Sequence, residues 1–353
     1  MLDFVVIGAG ICGCNVAYFL NKAGKNVLLV DKNQKVAGGA SGAAGAFLSP
    51  LLGKNNKFKT LVNQALRYST EFYKQNFEDC ITNNGVLRIP KNQTDREKFK
   101  NYDHDFEFSE IDDGYFFEIG SLVDSAKVCE KLSFGCEKRF EYEVSSISRE
   151  ENLWIINGEI KTKNIILATG AKIDLIDEPW LKIRPVWGQR IVVESDLPLT
   201  YSYHKECSVS PNINGRISIG ATHHRFVYEK DVSDEDAKKL LELANSMIPI
   251  KNPKIIDMLG GARSASEDYL PILGKIIDAK ATLKEFPYII HGTKVKNERF
   301  TRYENLYFIN GVGGRGFVLA PFLAKLLSEN ILQDSPINDE ILCDRLFLRE
   351  VKR

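Results

Sequence analysis

Neither sign of charge is in excess in this sequence: Lys+Arg and Asp+Glu both number 47 among 353 residues. Bulk electrostatics therefore supply no pull toward nucleic acid or an anionic membrane, and only a local basic patch could do so. There is no uninterrupted apolar run near the roughly 20 residues that a membrane helix needs, so no membrane role is expected. The apolar N-terminus lacks the basic flank and small-residue cleavage site of a secretory signal. Cysteine is scarce and unpaired in spacing. The seven residues Cys12, Cys14, Cys80, Cys129, Cys136, Cys207 and Cys343 form an odd set without metal-ligand spacings. That pattern predicts free thiols in a reducing compartment, a cytoplasmic location and no metal. Internal repeats, low-complexity tracts and Pro-rich linkers are also missing.

What is present begins at once. Phe4-Val5-Val6-Ile7 is an all-apolar run of the kind a buried parallel strand shows. Gly8-Ala9-Gly10-Ile11-Cys12-Gly13 follows, and then a helical stretch ended by Ala23-Gly24. Asn26-Val27-Leu28-Leu29-Val30-Asp31 is a second buried strand ending on an acid, with Lys32 next. Gly8 permits the tight turn, Gly10 lets the backbone approach a pyrophosphate, and Gly13 lets helix and strand pack closely. The helix start offers free N–H groups to phosphate. Asp31 lies 18 residues beyond Gly13, where a carboxylate takes ribose hydroxyls. The small pair Cys12 and Cys14 reads as packing within this unit.

Three later segments favour FAD over NAD. Gly38-Gly39-Ala40-Ser41-Gly42-Ala43-Ala44-Gly45 lies just after the βαβ start, where an extended flavin needs close backbone approach. Ile165-Ile166-Leu167-Ala168-Thr169-Gly170 is a buried strand ending in a small-residue turn. Asn310-Gly311-Val312-Gly313-Gly314-Arg315-Gly316 precedes a C-terminal helix whose N-terminus can stabilise negative charge on a reduced flavin. The cofactor set is thus Gly8, Ala9, Gly10, Ile11, Cys12, Gly13, Asp31, Lys32, Ala40, Ser41, Gly170, Gly313, Gly314 and Gly316. Arg315, flanked by glycine, is placed to reach substrate or flavin.

The same residues resemble the D-amino acid oxidase / glycine oxidase superfamily. That resemblance implies an α/β protein in which a Rossmann-like FAD-binding domain is interleaved with a mostly antiparallel β-sheet substrate domain. Residues 1–80, 121–180, 257–275 and 303–353 are assigned to the first, and 81–120, 181–256 and 276–302 to the second. Gly261-Ala262-Arg263-Ser264-Ala265-Ser266-Glu267-Asp268-Tyr269-Leu270-Pro271-Ile272-Leu273-Gly274 resembles the superfamily's Arg…Asp-x-x-Pro-x-x-Gly signature. By that match Arg263 holds the substrate carboxylate in a bidentate fork.

A narrower resemblance spans nearly the whole chain. Ala40-Ser41-Gly42 with Leu48-Ser49-Pro50-Leu51-Leu52, Gly220-Ala221-Thr222-His223-His224-Arg225, and Asp344-Arg345-Leu346-Phe347-Leu348-Arg349 resemble the FAD-dependent oxidase half of the bifunctional tRNA 5-methylaminomethyl-2-thiouridine biosynthesis proteins (MnmC). It implies removal of the carboxymethyl group from 5-carboxymethylaminomethyluridine at the tRNA wobble position, through an imine whose hydrolysis releases glyoxylate. Because the sequence starts at the dinucleotide turn, the oxidative step alone is implied, and any methylation falls to a separate methyltransferase. No acid–base dyad is legible, and none is required if the amine binds neutral. The rival readings are an oxidase or dehydrogenase of a free small amine (glycine, sarcosine or a D-amino acid), which Arg263 serves equally, and a flavin-binding scaffold without a substrate.

Other residues carry two readings each. Gln189 contacts flavin or substrate, or belongs to a domain-crossing turn. Arg263 binds the substrate or, as a structural residue, pairs with nearby Asp268, which itself reads as structural, holding that turn. His223 and His224 read as scaffold at a strand end or as cleft residues. Tyr201 and Tyr203 roof the substrate or simply pack. The basic-aromatic stretch 294–303 is a surface hairpin or an RNA-facing patch, and the acidic run 103–113 is a solvated loop.

Overall fold

The computed structural model describes residues 1–102 and 104–352, so the first residue of the acidic run 103–113 lies outside the described residues. The first apolar run forms the strand Leu2–Ile7, buried from Phe4 onward. It sits in parallel between Val27–Val30 and Ile160–Leu167. Both faces are covered. Phe4, Val6 and Leu29 join a core with the helices Ile11–Lys22, Lys57–Asn76 and Gly316–Gln333, while Val5, Ile7 and Leu28 join a second core with Trp154, Trp180 and Phe347. Two-sided burial is why these strands read as continuous apolar runs rather than as alternation. Glu137–Arg139 extends the sheet in parallel on one side and Arg302–Asn310 on the other. Ile272–Ile277 then pairs antiparallel with Arg302–Asn310.

A second sheet is built on two long antiparallel strands, Ile183–Glu194 and Lys254–Ser266, with a register shift at Val192/Val193. It continues through Arg216–Gly220, Ser208–Val209, Ser202–His204, Val86–Arg88, Gly114–Phe117 and Ser109–Ile111. Among the described strand pairings of this sheet the Ser202–His204/Val86–Arg88 pairing is parallel and the others antiparallel, with an isolated parallel bridge between Val186 and Val227. The helix Asp234–Asn245 covers this sheet through Ala237, Leu240 and Ala244. The architecture is therefore α/β, with a parallel dinucleotide-type sheet and a mostly antiparallel one between which the chain crosses repeatedly.

The crossings fall within two of the expected spans. Residues 254–266 run in the antiparallel sheet, although the sequence groups 257–275 with the dinucleotide unit. That strand passes so close to the short helix Ala40–Ala43 that a Cβ on Gly261 would lie 2.7 Å from the Ala40 Cα; its glycines mark this approach, not sheet membership. Conversely, Ile276, Ile277, Phe286, Ile289 and Phe300 pack into the core beneath the parallel sheet, which the many charged residues of 276–302 obscure. Among the described residues no helix is long and apolar enough to cross a membrane.

Candidate active site

The first turn is built by close backbone approach. A Cβ on Gly13 would lie 1.8 Å from the Gly8 carbonyl oxygen, and one on Gly8 would lie 2.4 Å from the Ala168 carbonyl oxygen. No other residue type fits Gly13 without moving the helix off the strand. Gly10 caps Ile11–Lys22 without a side-chain hydrogen bond, leaving the helix start open to a ligand acceptor. The Ile11 N–H donates to Ser41 Oγ at 2.9 Å, which ties the small-residue segment to the turn. Asp31 accepts from the Ala9 N–H at 2.6 Å and from the Asn33 N–H and Nδ2 at 2.8 and 2.7 Å. A carboxylate has about four acceptor positions, so Asp31 is already engaged and retains capacity for one further donor rather than two.

These groups line one cavity of about 880 Å³, together with Lys32, Ala40, Gly170, Gly313, Gly314, Arg315 and Gly316. The four expected segments meet there. Asn310 Nδ2 donates to the Gly170 carbonyl at 2.7 Å, joining the turn after Ile160–Leu167 to the Gly-rich turn before Gly316–Gln333. A Cβ on Gly316 would lie 3.1 Å from Ile11 Cγ2, so the C-terminal turn abuts the first one. All of the expected cofactor-binding residues fall at this cavity or, as with Ala9 and Gly13, in the backbone directly beneath it.

Arg263 projects from Lys254–Ser266 across the neighbouring strand. Its guanidinium lies over Gly188, where a Cβ would sit 2.4 Å from Nη1 and Nη2. Nη1 donates to the Thr222 carbonyl at 3.1 Å. Burial pulls its pKa down to about 10, and among the described residues no carboxylate lies within ion-pair distance of it. Arg315 donates to the Ser49 carbonyl at 3.1 Å and is likewise drawn down by burial to about 10. Beside it, Arg88 donates to the Pro50 carbonyl at 2.8 Å; burial, then the charge of Arg315, lowers it to about 9. Guanidinium groups held on carbonyls without a counter-charge leave the site short of an anion.

Two histidines of the cavity wall, His223 and His204, add no charge near neutrality. His223 lines the cavity, and desolvation with the nearby Arg263 charge pushes its pKa down to about 4. His204, also in the wall, is held well below the usual imidazole range by burial and then by Arg88 and Arg315. His224 instead faces Asp236, at 2.9 Å, within an ion-pair group completed by Lys230. The pair thus divides, one residue in the cleft and one in the scaffold.

Several readings need correcting. Gln189 is fully buried away from the cavity: Nε2 donates to the Ser233 carbonyl and Oε1 accepts the Ser233 N–H, at 2.8 and 2.7 Å. Alternation along the strand sends Gly188 to the cavity and Gln189 to the opposite face. Asp268 does hold its turn, accepting from Ser266 Oγ at 3.2 Å and the Leu270 N–H at 3.3 Å; its ion-pair partners, however, come from the C-terminal helix Asp344–Glu350, with Arg345 Nε at 2.9 Å and Arg349 at 3.5 Å. Tyr201 and Tyr203 pack on one another, with ring centroids 4.8 Å apart, and Tyr201 also meets Phe116. In 294–303, Phe300 is buried, Arg302 is paired with Asp344 and the Tyr303 hydroxyl donates to Glu178, so half of that stretch is scaffold. Two residues escaped the sequence reading, one behind Arg315 and one in the cavity wall. Arg88 stands in an apolar strand, an anomaly that could have flagged it. Trp187 lines the cavity with its Nε1 buried and without an acceptor.

Comparison with known proteins agrees with this geometry. The family described as FAD dependent oxidoreductase (DAO) matches residues 3–330. The tRNA 5-methylaminomethyl-2-thiouridine biosynthesis bifunctional protein MnmC of Legionella pneumophila subsp. pneumophila (strain Philadelphia 1) is 25% identical over 93% of this chain and 54% of its own length. The chain thus spans about half the length of that curated relative. Glycine oxidase from Geobacillus kaustophilus shares the fold with TM-score 0.77 at 18% identity, over 95% of both chains. Iminodiacetate oxidase from Chelativorans sp. BNC1 does so with TM-score 0.77 at 17% identity, over 96% of this chain and 98% of that one. The residues present fit an FAD: the close backbone packing at Gly8 and Gly13 brings the start of Ile11–Lys22 to one cavity, and the small-residue segments at 39–41, Gly170 and 313–316 line the same cavity with backbone.

Proposed function

The chain belongs to the DAO family of FAD dependent oxidoreductases, and from that membership we propose that it removes the carboxymethyl group from 5-carboxymethylaminomethyluridine at the tRNA wobble position. The observation that carries the reading is Arg263, a guanidinium drawn into the cavity wall and seated on Gly188, with no carboxylate within ion-pair distance among the described residues. Such a charge is costly until an anion reaches it, and the carboxylate of an N-substituted glycine is an anion of matching shape. Bound FAD supplies the two-electron acceptor for hydride from the α-carbon. The first-turn backbone, with Asp31, Lys32, Ala40, Ser41, Gly170, Gly313, Gly314 and Gly316, would hold that cofactor, and Arg263 would fix the α-carbon against it. The neutral His223 beside Arg263 adds no competing charge. As C–H and N–H bonds are lost, the amine becomes an imine; water then adds to its carbon, giving glyoxylate and the aminomethyl nucleoside.

The relatives named MnmC support tRNA as partner. The net charge of zero favours a second reading, oxidation of a free small amine such as glycine, sarcosine or a D-amino acid, because it provides no bulk attraction for a polyanion. Incubation with total tRNA from cells lacking this protein, followed by nucleoside mass spectrometry, separates them. Loss of the carboxymethyl group is the expected result. If it persists while sarcosine bleaches the flavin, the small-amine reading replaces it.

A further inference from the structure

We infer that the mouth of the cavity carries an aromatic clamp, Phe226 and Tyr269, for a planar ring borne on the oxidised amine, so that the substrate class is a ring-bearing N-carboxymethylamine. This rests on the proposal that Arg263 receives the carboxylate end. Phe226 and Tyr269 are 71% and 60% exposed, and both line the cavity. Single exposed apolar side chains are ordinary. These two come from separate turns and converge on one pair of neighbours. The Phe226 N–H donates to the Pro185 carbonyl at 2.8 Å, and the Tyr269 ring lies under the Arg184 guanidinium, whose Cζ is 5.4 Å from the ring centroid. Arg184 is itself fixed, with Nη2 donating to the Ser266 and Glu267 carbonyls at 2.8 and 2.7 Å.

Both residues also hold left-handed backbone, with φ +62° at Phe226 and +66° at Tyr269. Bulky side chains rarely adopt it, and it persists where the surrounding structure imposes it, most often at sites that bind. Two rings are thus held out into water by strained turns, at the opening of a cavity in whose wall Arg263 has no ion-pair partner among the described residues. A planar ligand ring covers apolar faces that water wets poorly, and stacking needs no hydrogen-bond match.

The spacing selects the ligand. Gly188, under Arg263, and the Arg184–Pro185 pair lie on the same strand, three to four residues apart, or about 10–13 Å. Glycine or sarcosine at Arg263 cannot reach that far. A heteroaromatic ring joined to the amine through a short link extends toward it, as a nucleobase would.

The test uses the FAD-loaded protein and two N-substituted glycines, N-benzylglycine with a ring and sarcosine without one, in anaerobic titrations followed by flavin absorbance. The wild type should bind N-benzylglycine about tenfold more tightly than sarcosine, the scale of one stacked ring. Phe226→Ala with Tyr269→Ala should bring that preference to within about twofold, while Phe226→Tyr with Tyr269→Phe should keep it, separating stacking from misfolding. The inference is overturned if the wild type shows no preference, or if the preference survives in the double alanine variant. A tRNA assay that fails while the preference stands removes the RNA identity and supports the clamp; conversion of tRNA with equal KM by wild type and the double alanine variant removes the clamp and leaves the RNA identity.

Discussion

At the scale of single residues the proposed substrate site turns on Arg263 and on the absence of a side chain at Gly188. Arg263→Ala removes a charge-assisted pair worth on the order of 1.5–3 kcal/mol, so KM for the amine should rise roughly 10- to 100-fold while bound FAD is retained. Loss of the flavin on extraction would mark Arg263 as structural instead. Gly188→Ala should reproduce that rise without touching the arginine, because its methyl would lie 2.4 Å from the guanidinium nitrogens; an unchanged KM would show that Arg263 does not work from this seat. His223 should leave no limb in the pH profile of kcat/KM between about 5.5 and 8, because its folded pKa is about 4 and it stays neutral throughout. A limb near 6.5 removed by His223→Gln would contradict this. Arg263 was singled out in the sequence by the resemblance of its Gly- and Pro-framed segment to the superfamily signature. Gln189 was misleading because one step along a strand reverses the face, and no local pattern in Trp187-Gly188-Gln189-Arg190 says which face is wet. Arg88 became meaningful only when folding set it beside Arg315.

Among the elements, the first helix and the last one carry separate tests. Gly13→Ala places a methyl 1.8 Å from the Gly8 carbonyl oxygen, so Ile11–Lys22 must shift away from Leu2–Ile7 and open the phosphate cradle. The purified variant should contain little FAD by absorbance; full FAD content would show that the cradle tolerates the shift. The C-terminal helix Asp344–Glu350 is pinned by Asp268 through Arg345 and Arg349. Burial pushes the Asp268 carboxyl up, but the Arg345 hydrogen bond and the two arginine charges outweigh it and hold it below its usual value. A depressed carboxyl stabilises the fold above its unfolded pKa of about 3.9 and ceases to do so as pH falls through the folded value. Asp268→Asn should therefore cost on the order of 3 kcal/mol at pH 7, where it strands a largely buried Arg345, and the gap to wild type should close in acid denaturation below about pH 4. A pH-independent gap would mean that the loss is packing rather than charge. The parallel strands were plain in the sequence because their apolar runs are continuous. The partner of Asp268 was not, since 77 residues separate it from Arg345 and short spacing suggested Arg263.

At the scale of the whole molecule, the cavity has walls from both sheets: the first turn and Gly170 from the parallel side, Gly188 and Arg263 from the antiparallel side. A cofactor lodged there bears on both sides at once, so its binding energy should be felt by both. Two tryptophans report the sides separately, Trp154 in the core beneath the parallel sheet and Trp187 on Ile183–Glu194. Free FAD at about 100 times its Kd adds roughly 2.7 kcal/mol to a fold that alone binds it. Variants keeping one of these tryptophans, with the others changed to Phe, should show the same rise in melting temperature on adding FAD, read by fluorescence from either side. If FAD raised only the Trp154 transition, the antiparallel sheet would unfold independently. The amine-binding wall around Arg263 would then be a separable unit rather than one assembled with the flavin.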